Sequence, residues 1–503
     1  MLLQQLLVDG ANRTPDKTAF HWVERGRTLS YAGAVAGMEK VAGALADLGM
    51  ERGDRVGVFA HNGLDYLLAM FGAWRLSAIC ALVNVQYSDR LDYYVNDAEP
   101  RVLIYTGDHH ETIERHRPNL SSVRHYVCLD GPRDGSLAWT DLLESASAPP
   151  PDRTAEDAVA HLSYTSGTSG NPKGACLAHE PTMRATRCIA ERLRVEASDI
   201  TLGPTALSSS YHLVANLLPG LHRGATVCVM SKWEAEKGWV SLEELGATIL
   251  AANPTILRDV LDESRQRGRA PAGLRLGVSG GAPVPPELKL AWRDELGLTL
   301  AESYGQSELG GFVGLGSPDP VRDEKALACG RPLPDKEVRI LDDGGREVPL
   351  GTIGEICLRG GFMAGYWRLP EKTAETLRGG WLHTGDVGYM DADQFVYVRG
   401  RLSERLRVAG EYWYPRDVEE VLMRHPGIRE AALIGLPDPD IGHRPVACVT
   451  PRAGDIDSSE VTHFVERELG RDLAYLSIRV VAEMPMTPTG KISKAQLLDA
   501  ALT

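Results

Sequence analysis

Between Ser30 and Leu48 the apolar residues Ala34, Val35, Met38, Val41, Ala42, Leu45 and Leu48 recur at three- and four-residue intervals, and Gly49 follows as a C-terminal cap. The spacing predicts an amphipathic helix lying on a core. The next apolar runs are short and continuous: RVGVFA at 55–60, AICALVN at 78–84 and RVLIYT at 101–106. Stretches long enough for helices separate them, so they read as strands of βα units in a parallel sheet. A Pro-, Asp- and Ser-rich stretch at 132–156 reads as a surface loop within the large unit. After Asp386 the pattern changes to two hairpin-like strands, a helix at 416–424, and the strands AALIGL and PVACVT. A small α+β unit is predicted from about Gly400 onward.

Length and charge narrow the function. A chain of 503 residues exceeds what one growing core accommodates, so at least two units are expected. With 43% hydrophobic and 24% charged residues it has the composition of a folded globular protein. A net charge of -14, with no Lys/Arg-rich face, argues against nucleic acid as a partner. The eight cysteines are dispersed and form no C-x-x-C pair or His-rich cluster, so neither a disulfide framework nor a zinc site is suggested. The N-terminal MLLQQLLVDG lacks a basic leader region, and no apolar run reaches the length of a membrane span. A cytoplasmic location is expected.

The most informative segment is YTSGTSGNPKG at 164–174. Glycines at 167, 170 and 174 let the backbone turn tightly and present N–H groups to an anion. The hydroxyls of Thr165, Ser166, Thr168 and Ser169 add donors, and Lys173 adds a charge-assisted contact. The spacing is not that of a Walker A loop, since Gly174 follows the lysine. Gly, Ser, Asn and Pro also dominate ordinary polar turns. A chance match to the full [ST][ST]G[ST][ST]G-x-P-K-G string in a chain this long is on the order of one in ten million, which excludes the turn reading.

On this loop, and on GDRV at 53–56, SGGAP at 279–283, YGQSE at 304–308, GEICLRG at 354–360, GYW at 365–367, WLHTGD at 381–386, GR at 400–401, GEYWYP at 410–415 and PMTPTGK at 485–491, the chain resembles the adenylate-forming superfamily. That superfamily includes acyl-CoA synthetases, adenylation domains of peptide synthetases and luciferases. The strings occur in the family's order and cover nearly the whole chain. The resemblance implies an α/β fold, with a multi-layer N-terminal domain of mixed sheets at 1–399 and a small, mobile α+β C-terminal domain at 400–503.

The same resemblance implies an AMP-forming acid:CoA ligase that uses ATP, Mg²⁺ and coenzyme A on a small carboxylate substrate. Gly280, Gly281, Ala282 and Pro283 would offer backbone to the adenine, and Tyr304 would stack on its other face, a role its aromatic ring also suits. Gly305, Gln306 and Ser307 continue the nucleotide site, and Glu308 is a hard oxygen ligand for Mg²⁺. Asp386 would accept from the ribose hydroxyls, with Arg401 beside it. Lys491 would reach the substrate carboxylate and the α-phosphate, offsetting the repulsion between two anions in the first half-reaction only. Thr165, Lys173 and Lys491 are the expected catalytic groups. A thiol then displaces AMP, after a rotation of the small domain that brings Gly410 and Glu411 to line the thiol path.

Two places depart from the family's pattern. The hinge position, usually Asp or Lys, is Ser403, followed by Glu404. The acyl-pocket segment PTALSSSYHLVANLL places Ser210 at the ungapped match and His212 two residues later, so His212 is either a pocket residue or a packed histidine. Gly281 and Gly310 are the other expected pocket positions. The alternative function is a stand-alone adenylation enzyme that loads an acyl or amino acid onto a carrier protein, the carrier then being a macromolecular partner. A catalytically silent acyl or nucleotide binder ranks below both, because Lys173, Glu308, Asp386 and Lys491 are all in place. A homodimer is compatible with either activity.

Overall fold

The protein is described by a computed structural model that covers residues 1–165, 171–452, 454, 456–470, 473–486 and 492–502. By internal packing the chain divides into two units, Met1–Val338 with Leu358–Leu382, and Arg339–Cys357 with His383–Thr503. This division differs from the boundary expected at residue 400. Glu337–Leu341, Gly354–Arg359, Leu382–Met390 and Val396–Arg401 follow one another in a single four-stranded sheet, and most of that sheet goes with the second unit.

Among the described residues the first unit is built on two large sheets. One orders the strands Leu137–Ala138, His125–Cys128, Val102–Tyr105, Arg55–Phe59, Ile79–Leu82, Val159–Tyr164 and Gly174–Ala178, parallel throughout except for the last pair. The other has a parallel centre, Leu276–Ser279 between Ile249–Ala252 and Thr299–Tyr304, with antiparallel pairs at both edges. The central strands Arg55–Phe59, Ile79–Leu82 and Val102–Tyr105 of the first sheet are buried on both faces, which is why the three apolar runs read from the sequence are continuous rather than alternating. The predicted helix is Tyr31–Asp47: the Ser30 side chain caps it by accepting from the Gly33 N–H, and Gly49 follows with φ of +76°.

The stretch at 132–156 is not loop throughout. It contains a short strand at Leu137–Ala138 and a helix at Trp139–Glu144. The Trp139 ring is buried and its Nε1 donates to Asp65 Oδ1 at 3.0 Å, a contact 74 residues away that composition does not reveal.

The second unit has the four-stranded sheet and a five-stranded one, in which Ile428–Asp438 and Gly442–Pro451 form a long hairpin. Helices Pro415–Arg424 and Ser458–Leu469 supply its core with Val418, Val421, Leu422, Val461 and Val465. The sequence places the helix and both strands correctly to within a few residues.

Candidate active site

Ligand sites in open α/β sheets form beyond the carboxyl ends of parallel strands. In the first unit three such ends carry the chemically marked segments. Strand Val159–Tyr164 leads into the phosphate-type loop, which returns as the antiparallel strand Gly174–Ala178. The loop's neck is closed by two hydrogen bonds: Thr165 N donates to the Lys173 carbonyl at 3.0 Å, and Lys173 N donates to Thr165 Oγ1 at 3.2 Å. Ser166, Gly167, Thr168, Ser169 and Gly170 lie outside the described residues. Tyr164, just before the loop, donates its hydroxyl to Asp97 Oδ2 at 2.8 Å. Burial pushes that phenol well above its ordinary pKa, with the Asp97 charge adding to the shift, so it stays a neutral donor.

The segment Met363–Trp367 runs alongside this hairpin. Cys176 N donates to the Gly365 carbonyl, Ala364 N to the Cys176 carbonyl and Trp367 N to the Gly174 carbonyl, at 2.7–2.9 Å. Met363 N donates to the Glu308 carbonyl at 2.7 Å. These bonds seat Tyr366 between two predicted site residues. Its hydroxyl donates to Glu308 Oε1 at 2.7 Å, and the Lys173 ammonium lies 4.7 Å from its ring centroid. The phenol thus holds a carboxylate at its edge and a cation against its π-face. Sequence reasoning registered the GYW string without assigning Tyr366 a role. The signal was there only as an aromatic between two glycine-rich motifs.

Strands Leu276–Ser279 and Thr299–Tyr304 are adjacent and parallel, so Gly280, Gly281 and Tyr304 leave the sheet at the same edge. Gly280 is enforced by packing: a Cβ there would lie 2.3 Å from Ser303 Oγ and 2.7 Å from the Tyr211 ring. Tyr211 is fixed in turn, its hydroxyl donating to the carbonyls of Val278 at 2.7 Å and Ala252 at 3.2 Å. Gly281 is exposed, with φ of +79° and open space where a side chain would be. Ala282 is half-buried and Pro283 exposed in the same turn. Beyond Tyr304 the chain passes through Gly305 and Gln306 into a single helical turn, Ser307–Leu309, which carries Glu308. Gly310 follows with φ of +56°.

His212 is completely buried. Its Nδ1 donates to the Thr205 carbonyl at 2.7 Å, and its Nε2 lies 3.2 Å from Asn216 Nδ2, which donates to it. Burial holds its pKa down at about 4, the Thr205 carbonyl opposing that shift, so the ring is neutral and both nitrogens are engaged. The turn that follows, Leu213–Leu217, is a π-helix, a local widening that often accompanies function. Gly203 accommodates this pair, since a Cβ would come within 2.4 Å of Asn216 Nδ2.

In the second unit Asp386 and Arg401 face each other in register on the hairpin Leu382–Met390/Val396–Arg401, with Arg401 Nε 2.9 Å from Asp386 Oδ1. The turn before Asp386 is braced from below: Glu355 Oε2 accepts from His383 Nδ1 at 2.7 Å and Oε1 accepts from Gly385 N at 3.1 Å. Gly385 has φ of +67°, which favours glycine there. Neither Glu355 nor His383 was singled out from the sequence. Ser403 is exposed within the turn Leu402–Glu404, and its neighbour Glu404 accepts from Lys494 Nζ at 3.2 Å. Ala409 and Gly410 connect paired strands with φ of +49° and +92°, as in a type I′ hairpin turn, so backbone geometry alone asks for glycine at 410. Glu411 is exposed. Lys491 lies outside the described residues.

The AMP-binding enzyme family matches residues 7–367, and the AMP-binding enzyme C-terminal domain matches residues 417–491. The sulfoacetate–CoA ligase of Cupriavidus necator is 31% identical over 99% of this chain and 98% of its own. The fatty acid–[acyl-carrier-protein] ligase ScoC of Streptomyces coeruleorubidus is 30% identical over 94% and 92%. Among solved structures, the anthranilate CoA ligase AuaEII in complex with anthranoyl-AMP superimposes with a TM-score of 0.90, 27% identity, and coverage of 100% of this chain and 97% of that one. The chain belongs to the AMP-binding enzyme family.

Proposed function

We propose that this AMP-binding enzyme joins a carboxylic acid to coenzyme A in two steps, through an acyl-adenylate, with release of pyrophosphate and then AMP. The observation that carries the reading is the Lys173–Tyr366–Glu308 arrangement. It holds an ammonium and a carboxylate at fixed positions beside the neck of the phosphate-type loop.

In the first step the substrate carboxylate attacks the α-phosphorus of ATP and the P–O bond to pyrophosphate breaks. Backbone and hydroxyl donors of residues 165–170 take the phosphate oxygens, and Lys173 offsets their charge. Glu308 fits as a hard oxygen donor that would hold Mg²⁺ through the carboxylate oxygen Tyr366 does not engage. Bound there, Mg²⁺ would neutralise charge on the departing pyrophosphate. Gly280 to Pro283 and Tyr304 receive the adenine, Gly305 to Ser307 continue that wall, and Asp386 with Arg401 receives the ribose. Lys491 screens the approach of carboxylate to α-phosphate. His212, neutral, completely buried and doubly hydrogen-bonded, is a packed histidine rather than an acid or base, and the acyl-pocket positions we assign are Gly281 and Gly310. In the second step a thiolate attacks the acyl carbon past Gly410 and Glu411. The C–O bond to AMP breaks, and AMP takes the electron pair.

A carrier-protein thiol as acceptor is the second reading, favoured by the likeness to the acyl-carrier-protein ligase. No helix among the described residues is long and apolar enough to cross a membrane, which is compatible with work in the cytoplasm. The test is pyrophosphate release across a panel of sulfonated, hydroxyaromatic and fatty acids, followed by thioester formation with CoA or a phosphopantetheinylated carrier. Acid-dependent pyrophosphate release and a CoA thioester are expected. No release with any acid would overturn the ligase reading, and thioester formation on the carrier alone would move the acceptor.

A further inference from the structure

The sheet that carries the phosphate-type loop has a second chemically marked edge. Strands Arg55–Phe59 and Val102–Tyr105 are adjacent and parallel, with Phe59 opposite Tyr105, so the chain leaves both at the same carboxyl end. His61 follows the first strand, and Asp108 and His109 lie in the turn after the second. The two exits are tied together by the His61 N–H, which donates to Thr106 Oγ1 at 3.4 Å. Forty-seven residues separate His61 from Asp108 along the chain, and the topology makes them neighbours.

His61 Nε2 lies 2.7 Å from Asp108 Oδ2, and His109 Nε2 approaches the same oxygen to 4.0 Å. The two imidazole rings are 5.0 Å apart between centroids, and the Phe59 ring backs His109 at 4.8 Å. One potential ligand atom from each of the three residues falls within 4.8 Å of the others. A histidine–aspartate pair on a surface needs no further explanation. The third member does: His109 Nε2 is buried and has no hydrogen-bond partner among the described residues, although it faces a carboxylate oxygen. A buried polar nitrogen ordinarily finds a partner. Bonds of about 2.0–2.2 Å from one ion to two imidazole nitrogens and a carboxylate oxygen would supply it, after small side-chain rotations.

We propose that His61, Asp108 and His109 form a binding site for a divalent first-row transition ion of the Zn²⁺ class, separate from the Mg²⁺ position assigned to Glu308. Two nitrogen donors and one oxygen select Zn²⁺-like ions over Mg²⁺ or Ca²⁺, which prefer all-oxygen sets. Three protein ligands leave a position for water, which can reach the site because the His61 and Asp108 side chains are 42% and 56% exposed. The ion would clip together the two loops that leave neighbouring strands. No spacing rule marks such a site in the sequence, since each loop supplies only part of the ligand set.

The chelator-treated full chain is titrated with Zn²⁺ against a chromophoric chelator, and its Co²⁺ derivative is recorded by absorption. Wild-type protein should take up one Zn²⁺ at this site and melt at higher temperature with it. His109→Ala should weaken that uptake by at least about tenfold, the scale on which metal sites respond to loss of supporting groups. Asp108→Asn, an exposed change that keeps the side chain's shape, should weaken it similarly and decides the matter if His109→Ala does not fold. The Co²⁺ derivative should show d–d bands without a thiolate charge-transfer band. That absence separates the site from the Glu355, Cys357 and His383 cluster of the second unit, whose donors also lie within 4.8 Å of one another. Zn²⁺ uptake unchanged in Asp108→Asn, or a thiolate band abolished by Cys357→Ser, would overturn the assignment, as would no uptake by wild type.

Discussion

Each unit sets an ion pair against a strand that carries site residues, a helix lysine on a strand glutamate in the first and two strand residues in the second, and the two pairs are built differently. In the first, Lys289 and Glu302 meet at 2.6 Å with side chains only 2% and 4% exposed, just below Tyr304. The ammonium also donates to the Ala328 carbonyl at 3.1 Å, and the Cys329 thiol lies 3.4 Å from Glu302 Oε1. In the second, Asp386 is 6% exposed but Arg401 is 40% exposed. A sealed pair whose ammonium also holds a backbone carbonyl cannot exchange a partner without disturbing its surroundings, so it acts as scaffold. A pair with one member open to solvent can surrender part of its hydrogen bonding to a ligand, so it is suited to be a working group.

The largest expected effect therefore falls on the sealed pair. Lys289→Met leaves the Glu302 charge buried and uncompensated and should cost about 3–5 kcal/mol of stability, read as a fall in denaturation midpoint. Lys289→Met with Glu302→Leu should recover a substantial part of that loss. A single variant as stable as the parent would show that the pair is not scaffold.

Second in size is Lys491→Ala. If the second unit's charges act on the reaction and not on the fold, acyl-adenylate formation should fall by about 10²–10³-fold. Thioester formation from supplied acyl-AMP and the melting temperature should hold. Pyrophosphate release and thioester yield, measured separately, check this, and equal loss in both steps would refute the assigned role.

A third effect comes from the first unit's habit of burying polar rings. His212 has its pKa held at about 4 by burial, against an ordinary value of 6.5. Its contribution to stability is complete above pH 6.5, and is lost as pH falls from there toward 4, because the unfolded chain gains a proton that the folded ring refuses. By pH 5 the loss should be about 2 kcal/mol from this residue. Burial also depresses the ring pKa of His161 and His179, to about 3 and about 4, so acid sensitivity should persist in part when His212 is replaced. Melting temperatures at pH 7.5 and pH 5 should accordingly differ less for His212→Gln than for the parent. An undiminished difference would show that the ring titrates freely.

The contrast between the units also explains what could be read without coordinates. Strands buried on both faces announce themselves as unbroken apolar runs, as at 55–60 and 101–106, and the helix from Tyr31 to Asp47 carries both its periodicity and its Ser30 cap in local sequence. The phosphate-type loop is legible because its chemistry lies in eleven consecutive residues. What escaped is everything that depends on one side chain meeting another far away: Tyr366 on Glu308, Trp139 on Asp65, Glu355 on the turn before Asp386, and the His61–Asp108–His109 group. His212 lies between the two cases. Its partner Asn216 sits four residues on, one helical turn away and visible in the sequence, but the Thr205 carbonyl that fixes its tautomer becomes a neighbour only on folding.

The smallest expected effect is the most discriminating for the open pair. Arg401→Met removes a half-exposed guanidinium whose ion pair with Asp386 should be worth no more than about 1 kcal/mol to the fold, since solvent screens it. The backbone at Asp386 is held independently of Arg401, because its N–H donates to Thr384 Oγ1 at 3.0 Å and Thr384 Oγ1 donates to the Ile356 carbonyl at 2.7 Å. If Arg401 serves the ribose, the KM for ATP should rise by about tenfold, the loss of one charge-assisted hydrogen bond, while the melting temperature stays nearly constant. If the pair is instead a smaller copy of Lys289–Glu302, stability falls and KM does not move. The two measurements on one variant decide between a working group and scaffold.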